Sequence, residues 1–163
     1  MDSPSLDFLA LLRTLTDHGV DFIIVGGVSA VLHGAPITTF DLDVVHARTP
    51  ENISRLLAAL KGLDACYRAS GDRRLQPEAE HLASPGHQLL MTRLGPLDLL
   101  GTIGTDHDYE DLSNHVVEHE VSGLRLHVLD LETLIKVKEE VGFEKDRAVL
   151  PILRRTLEET RKK

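Results

Sequence analysis

Apolar residues at Phe8, Leu11, Leu12 and Leu15 recur at helical spacing behind Ser5, so the chain opens on a capped amphipathic helix that Gly19 ends. Asp21–Val25 is a short β-branched run bounded by glycines and reads as a buried strand. Gly26-Gly27 then turns the chain into a short helix over Val28–His33, which Gly34-Ala35-Pro36 stops. Phe40–Val45 alternates acids with Leu42 and Val44 and predicts a second strand. Thr49-Pro50-Glu51 opens a helix to about Leu60. Leu63–Arg68 reads as a strand and Ser70–Glu80 as a loop. Gln88–Arg93 and Leu97–Leu100 read as two strands turned at Gly95-Pro96, and Asp106–Leu112 as a short helical or irregular stretch. Val116–Val121 and Leu124–Val128 flank Ser122-Gly123, a hairpin signal. Asp130 caps a helix from Leu131 to Val141, Gly142 breaks it, and Asp146–Arg161 forms a last helix in which Pro151 predicts a kink or a late start.

This order predicts an α/β (α+β) protein: a mixed central sheet of four to six strands, flanked by helices. The 163 residues suit one domain spanning 1–163, with a helical C-terminal portion from about 130. Aromatic residues are only 4% of the chain and Trp is absent, so the core must be aliphatic and base-stacking platforms for single-stranded nucleic acid are disfavoured. The net charge of −8 argues against a general duplex binder. Local basic patches at Arg68, Arg73 and Arg74, or along Arg154, Arg155, Arg161, Lys162 and Lys163, are expected to be solvated faces. Cys66 is the one cysteine, which excludes an internal disulfide and a Cys-rich zinc site, and it reads as a small buried apolar residue. With no secretory signal and no membrane-length apolar run, a cytoplasmic protein without membrane contact is expected.

The chemistry concentrates in acids. On a strand, residues two apart share a face, so Asp41 and Asp43 project side by side with Cα atoms about 6.6 Å apart. Two such carboxylates repel unless a cation lies between them, and as short hard oxygen ligands they suit Mg²⁺ or Mn²⁺. Asp98 is a lone acid in the apolar run Leu97–Leu100, a costly position unless the acid is paired or metal-bound. Three carboxylates around metal suit phosphoryl chemistry. Gly26 and Gly27, between a strand and a helix, let the backbone approach a phosphate. His115 and His119 are four apart on a strand, about 13 Å from each other, too far to share zinc. His33 and His46 read as local hydrogen-bond partners.

Gly26-Gly27, thirteen residues, then Asp41-Leu42-Asp43-Val44 resembles the motif of the polymerase-beta-type nucleotidyltransferase superfamily. Val25–Gly34 is similar to its small bacterial members, the minimal and type IV toxin-like nucleotidyltransferases. The resemblance implies a nucleotidyltransferase fold with catalytic, metal-holding Asp41, Asp43 and Asp98 and nucleotide-binding Gly26, Gly27 and Ser29. It also implies Lys136 on the triphosphate and Asp146, beside Lys145, as an accessory residue. It implies a magnesium-dependent transferase moving a nucleoside monophosphate from an NTP to a hydroxyl of tRNA, a protein or a small molecule. A toxin with an antitoxin partner is one such setting. Where small members often carry Arg, this chain has Ile37, which keeps open a non-catalytic module that senses nucleotide or binds a partner. A metal-dependent phosphohydrolase would use the same carboxylates.

Overall fold

The computed structural model describes residues 7–71, 73–142 and 144–162. Ser5, expected to open the first helix, lies outside the described residues, as does the side chain of Lys145. Helix α1 (Phe8–Asp17) is instead capped by Asp7, whose side chain accepts from the Ala10 amide at 3.0 Å. Four buried positions in a row form β1 (Phe22–Val25), which runs straight into α2 (Gly26–Leu32). Strand β2 (Leu42–His46) follows, then α3 (Pro50–Gly62), with Pro at its start and Thr49 as its cap. Strand β3 is only Cys66–Tyr67. The segment expected to be a loop contains the short helix α4 (Ala79–Ala83), whose Leu82 is fully buried. The hairpin of β4 (His87–Thr92) and β5 (Gly95–Leu100) leads to α5 (Tyr109–Leu112). Then come the hairpin β6 (Val116–Val121) and β7 (Leu124–Leu129), and the helices α6 (Leu131–Val141) and α7 (Glu144–Arg161). Helix α7 continues through Pro151, although the missing amide and ring clash cost about 3 kcal/mol in a helix interior.

One mixed sheet of seven strands results, ordered β3-β4-β5-β2-β1-β7-β6, which exceeds the four to six expected. β2 runs parallel to β5 and antiparallel to β1, and β1 runs parallel to β7. Strand alternation splits the apolar residues between two cores. Leu42, Val44, Leu97 and Leu99 pack with Leu11, Leu15 and Leu56 from α1 and α3. On the other face Val25, Val45 and Leu100 pack with Leu134, Ile135 and Leu153 from α6 and α7. Full burial of a Leu or Val is worth about 1.5–3 kcal/mol, so these layers hold the sheet.

The second face is only partly covered. On β4, Leu90 is 0% exposed on the α1–α3 side, whereas Leu89, pointing the other way, is 44% exposed. The helices α6 and α7 therefore stop short of β4 and leave a floor open beside β5.

Candidate active site

Asp43 sits on β2 and Asp98 on β5, and the parallel register sets them directly opposite one another. Asp41 lies in the bend just before β2 rather than inside the strand. Carboxylate oxygens of Asp41, Asp43 and Asp98 come within 4.8 Å of one another. Period-two alternation aims all three at the same face, the one that α6 and α7 partly cover.

Such crowding is electrostatically unfavourable. Burial first, then the neighbouring Asp98 carboxyl and the charge on Asp41, raise the Asp43 carboxyl from 3.8 to about 8. The positive charge of Lys138 opposes that rise. Among the described residues, buried Oδ1 atoms of both Asp43 and Asp98 lack a hydrogen-bond partner. Two buried oxygens without a hydrogen bond, within an all-carboxylate donor set, fit a hard divalent cation such as Mg²⁺ or Mn²⁺.

Two cations flank the acids. Arg68, just after β3, brings Nη2 to 2.7 Å from Oδ1 of Asp98. That oxygen nevertheless has no aligned hydrogen bond, so the contact is mainly Coulombic. The other arm of Arg68, Nη1, donates to the Leu90 carbonyl at 2.6 Å and fixes the guanidinium over β4. On the opposite flank, Lys138 of α6 donates from Nζ to Oδ1 of Asp146 on α7 at 3.1 Å. Asp146 is buried, and Lys138 is largely so. Gly142 makes this pair possible. It takes the left-handed conformation (φ 66°) at the end of α6, so that α7 folds back beside α6.

The glycine pair packs against the acids. Gly26 has φ 66° and no room for a Cβ, because Asp43's carboxylate occupies that space. A Cβ on Gly27 would lie 2.8 Å from Cβ of Thr39. The backbone at the start of α2 is thereby held directly against β2.

Other sequence-derived residues lie elsewhere. Ser29 is fully buried and its hydroxyl donates to the Gly26 carbonyl at 2.7 Å, so it braces the turn. Lys136 is exposed, pairs with Glu132 at 3.6 Å and lines a 530 Å³ cavity with His107, Asn114 and Glu140. Residues 136 and 138 differ by about 200° around a helix, and only Lys138 is turned toward Asp43 and Asp146. Ile37 is half-buried and lines an apolar groove with Phe8, Val31 and Leu126. His46 and His33 are local partners as expected, bonding the carbonyls of Leu82 (2.8 Å) and Leu129 (2.7 Å). Cys66 is half-buried rather than buried. Sequence reasoning did not place Arg68 and Lys138 beside the acids. Arg68 carries no local signal, and Lys138 is distinguished from Lys136 only by helix phase.

No family model matches the sequence, and no curated protein matches it. Solved structures do. The lincosamide antibiotic adenylyltransferase LnuA, solved with lincomycin, is 11% identical with a TM-score of 0.61, over 90% of this chain and 93% of that one. ANT(2″)-Ia, solved with adenylyl-2″-tobramycin, is 14% identical with a TM-score of 0.59, over 90% of this chain and 85% of that one. TM1012 of Thermotoga maritima, itself a candidate nucleotidyltransferase, is 17% identical with a TM-score of 0.57, over 93% of this chain and 90% of that one. The chain has the nucleotidyltransferase fold, with its mixed sheet flanked by helices.

Proposed function

We propose that this protein transfers a nucleoside monophosphate from an NTP to a hydroxyl acceptor. The observation that carries the reading is the convergence of Asp41, Asp43 and Asp98 beside the backbone of Gly26 and Gly27. Asp41, Asp43 and Asp98 would hold Mg²⁺ or Mn²⁺, which when bound neutralises the phosphates and polarises the α-phosphorus toward attack. Gly26 and Gly27 present side-chain-free backbone to the phosphates, and Ser29 keeps that turn in place. Lys138 supplies positive charge on the phosphate side and is oriented by Asp146. Asp98 accepts the proton of the acceptor hydroxyl, whose oxygen bonds the α-phosphorus as pyrophosphate leaves. Lys136, expected on the triphosphate, is assigned no such place here, because it faces Glu132. The solved neighbours include adenylyltransferases of antibiotics, which supports a small-molecule acceptor over tRNA or a protein.

A non-catalytic nucleotide-sensing module is the second reading. It is favoured by Arg68, which already lies against Asp98. Thermal unfolding with each of the four NTPs, with and without Mg²⁺, separates these readings together with pyrophosphate release. An upward shift that needs metal, plus pyrophosphate release that Asp41→Asn abolishes, is the expected result. A shift without pyrophosphate release under any acceptor establishes the sensor instead, and no shift at all sinks both.

A further inference from the structure

The face that carries the three carboxylates continues past Asp98. Directly paired residues on neighbouring strands share a face. One row therefore runs from Asp43 through Asp98 to Leu89, and the next from Pro96 through Met91 to Cys66. Leu89 is exposed, and Pro96, Met91 and Cys66 are half-buried. Together they make an apolar shelf, open above and continuous with Asp98. Arg68, beside the shelf, lies 2.7 Å from Asp98 and is bonded to the Leu90 carbonyl, so it offers little free charge.

We infer that this shelf seats the acceptor, and that the acceptor is a small uncharged molecule carrying a hydroxyl and an apolar face. The inference rests on the nucleotidyl-transfer reading. In the sheet order, Gly26 and Gly27 follow β1 on one side of β2, while the shelf spans β5, β4 and β3 on the other. An in-line displacement places the entering oxygen opposite the leaving one. With the phosphates over the glycines, the acceptor oxygen enters from the shelf side. It bonds the α-phosphorus, its proton passes to Asp98, and the bond to the β-phosphate oxygen breaks to release pyrophosphate. A polynucleotide needs unpaired cations along its backbone path. Here Arg68 faces Asp98 and Arg74 faces Asp64 at 2.7 Å, which leaves the exposed Arg73 of that patch as too little charge for a backbone path. Apolar contact with Leu89 and the adaptable Met91 instead suits the flat face of a neutral compound.

Cys66 is the chain's one cysteine, so its alkylation by N-ethylmaleimide, followed by intact mass, reports whether the shelf is covered. The full chain is held with Mg²⁺ and the α,β-methylene analogue of the NTP that shifts melting most. It is then challenged with p-nitrophenyl β-glucoside or with a twelve-nucleotide oligoadenylate. At about ten times its dissociation constant, the glucoside should slow alkylation about tenfold, and the RNA should not. Leu89→Asp should remove that protection while the nucleotide-induced thermal shift persists. Protection by RNA alone overturns the acceptor class. Protection by neither probe, or protection that survives Leu89→Asp, overturns the seat. Absence of the nucleotide shift in the wild type is a different failure, that of the transfer reading itself.

Discussion

Asp43 and Asp146, one half-buried and one buried, have neighbours of opposite kind. Asp43 faces Asp98 across two strands, and the pair is like-charged. Asp146 faces Lys138 across a helix break, and that pair is complementary. The first pair is fixed by sheet register, which cannot relax to separate the charges. The second rests on the Gly142 turn and satisfies itself without any ligand. The rigid part of the molecule thus holds the unsatisfied chemistry, and the satisfied ion pair guards its flank. A site arranged in this way would be relieved by a cation, as the proposed function requires.

The largest expected effect strikes the like-charged pair. Asp43→Asn should lower pyrophosphate release by about 10³-fold, in the range seen when one electrostatic element of a site is lost. The same substitution should raise the melting temperature of the metal-free protein at neutral pH, because folding then no longer has to bind a proton at Asp43. A lower melting temperature would break the contrast drawn above. Removing one partner of the complementary pair should act the other way. Asp146→Ala leaves a largely buried Lys138 unpaired and should cost about 2–3 kcal/mol in urea denaturation, below the full value for a deeply buried pair. Adding Lys138→Met to that variant should recover most of the loss, whereas a purely packing role for Asp146 would give no recovery. Gly26→Ala should cost about 1–3 kcal/mol, since it strains a left-handed residue and pushes on Asp43. Asp43→Gly in that background should relieve the clash but leave the backbone strain.

The pH dependence of stability differs in sign between two regions. The folded Asp43 carboxyl stands near 8 against an ordinary 3.8. Between these values the folded state keeps a proton that the unfolded state has lost, so metal-free stability falls as pH rises. Saturating Mg²⁺ should flatten that slope. His46 lies beyond the site, and burial lowers it below its ordinary 6.5. There the unfolded state takes up the proton first, so this contribution is lost as pH falls through 6.5 and Mg²⁺ leaves it unchanged. Denaturation series with EDTA and with Mg²⁺, compared between wild type and His46→Gln, read both slopes.

Legibility in the sequence followed the range of the physics. Asp41 and Asp43 were readable because strand alternation is local, and Asp98 because an acid in an apolar run is conspicuous. Their meeting was not readable, since the β2–β5 register is decided by packing between distant segments. Arg68 comes from the edge of the sheet, where β3 offers only Cys66 and Tyr67 as a pattern. Ser29 looked like a phosphate ligand beside a glycine pair, but its hydroxyl turns back to the Gly26 carbonyl. Helix α4 was hidden in a polar stretch, and its anchor is the single residue Leu82.

The β2–β5 pairing also has a consequence for how the chain folds. The β4–β5 hairpin closes locally, but β2 joins β5 only after α3, β3, α4 and β4 have been carried round. Parallel pairing across such a span is slow because loop closure comes before any reward. In this chain the late encounter also brings Asp43 onto Asp98, so at neutral pH repulsion adds to the barrier. Free Mg²⁺ would then speed refolding, and hold the product, by meeting the acids as they meet each other.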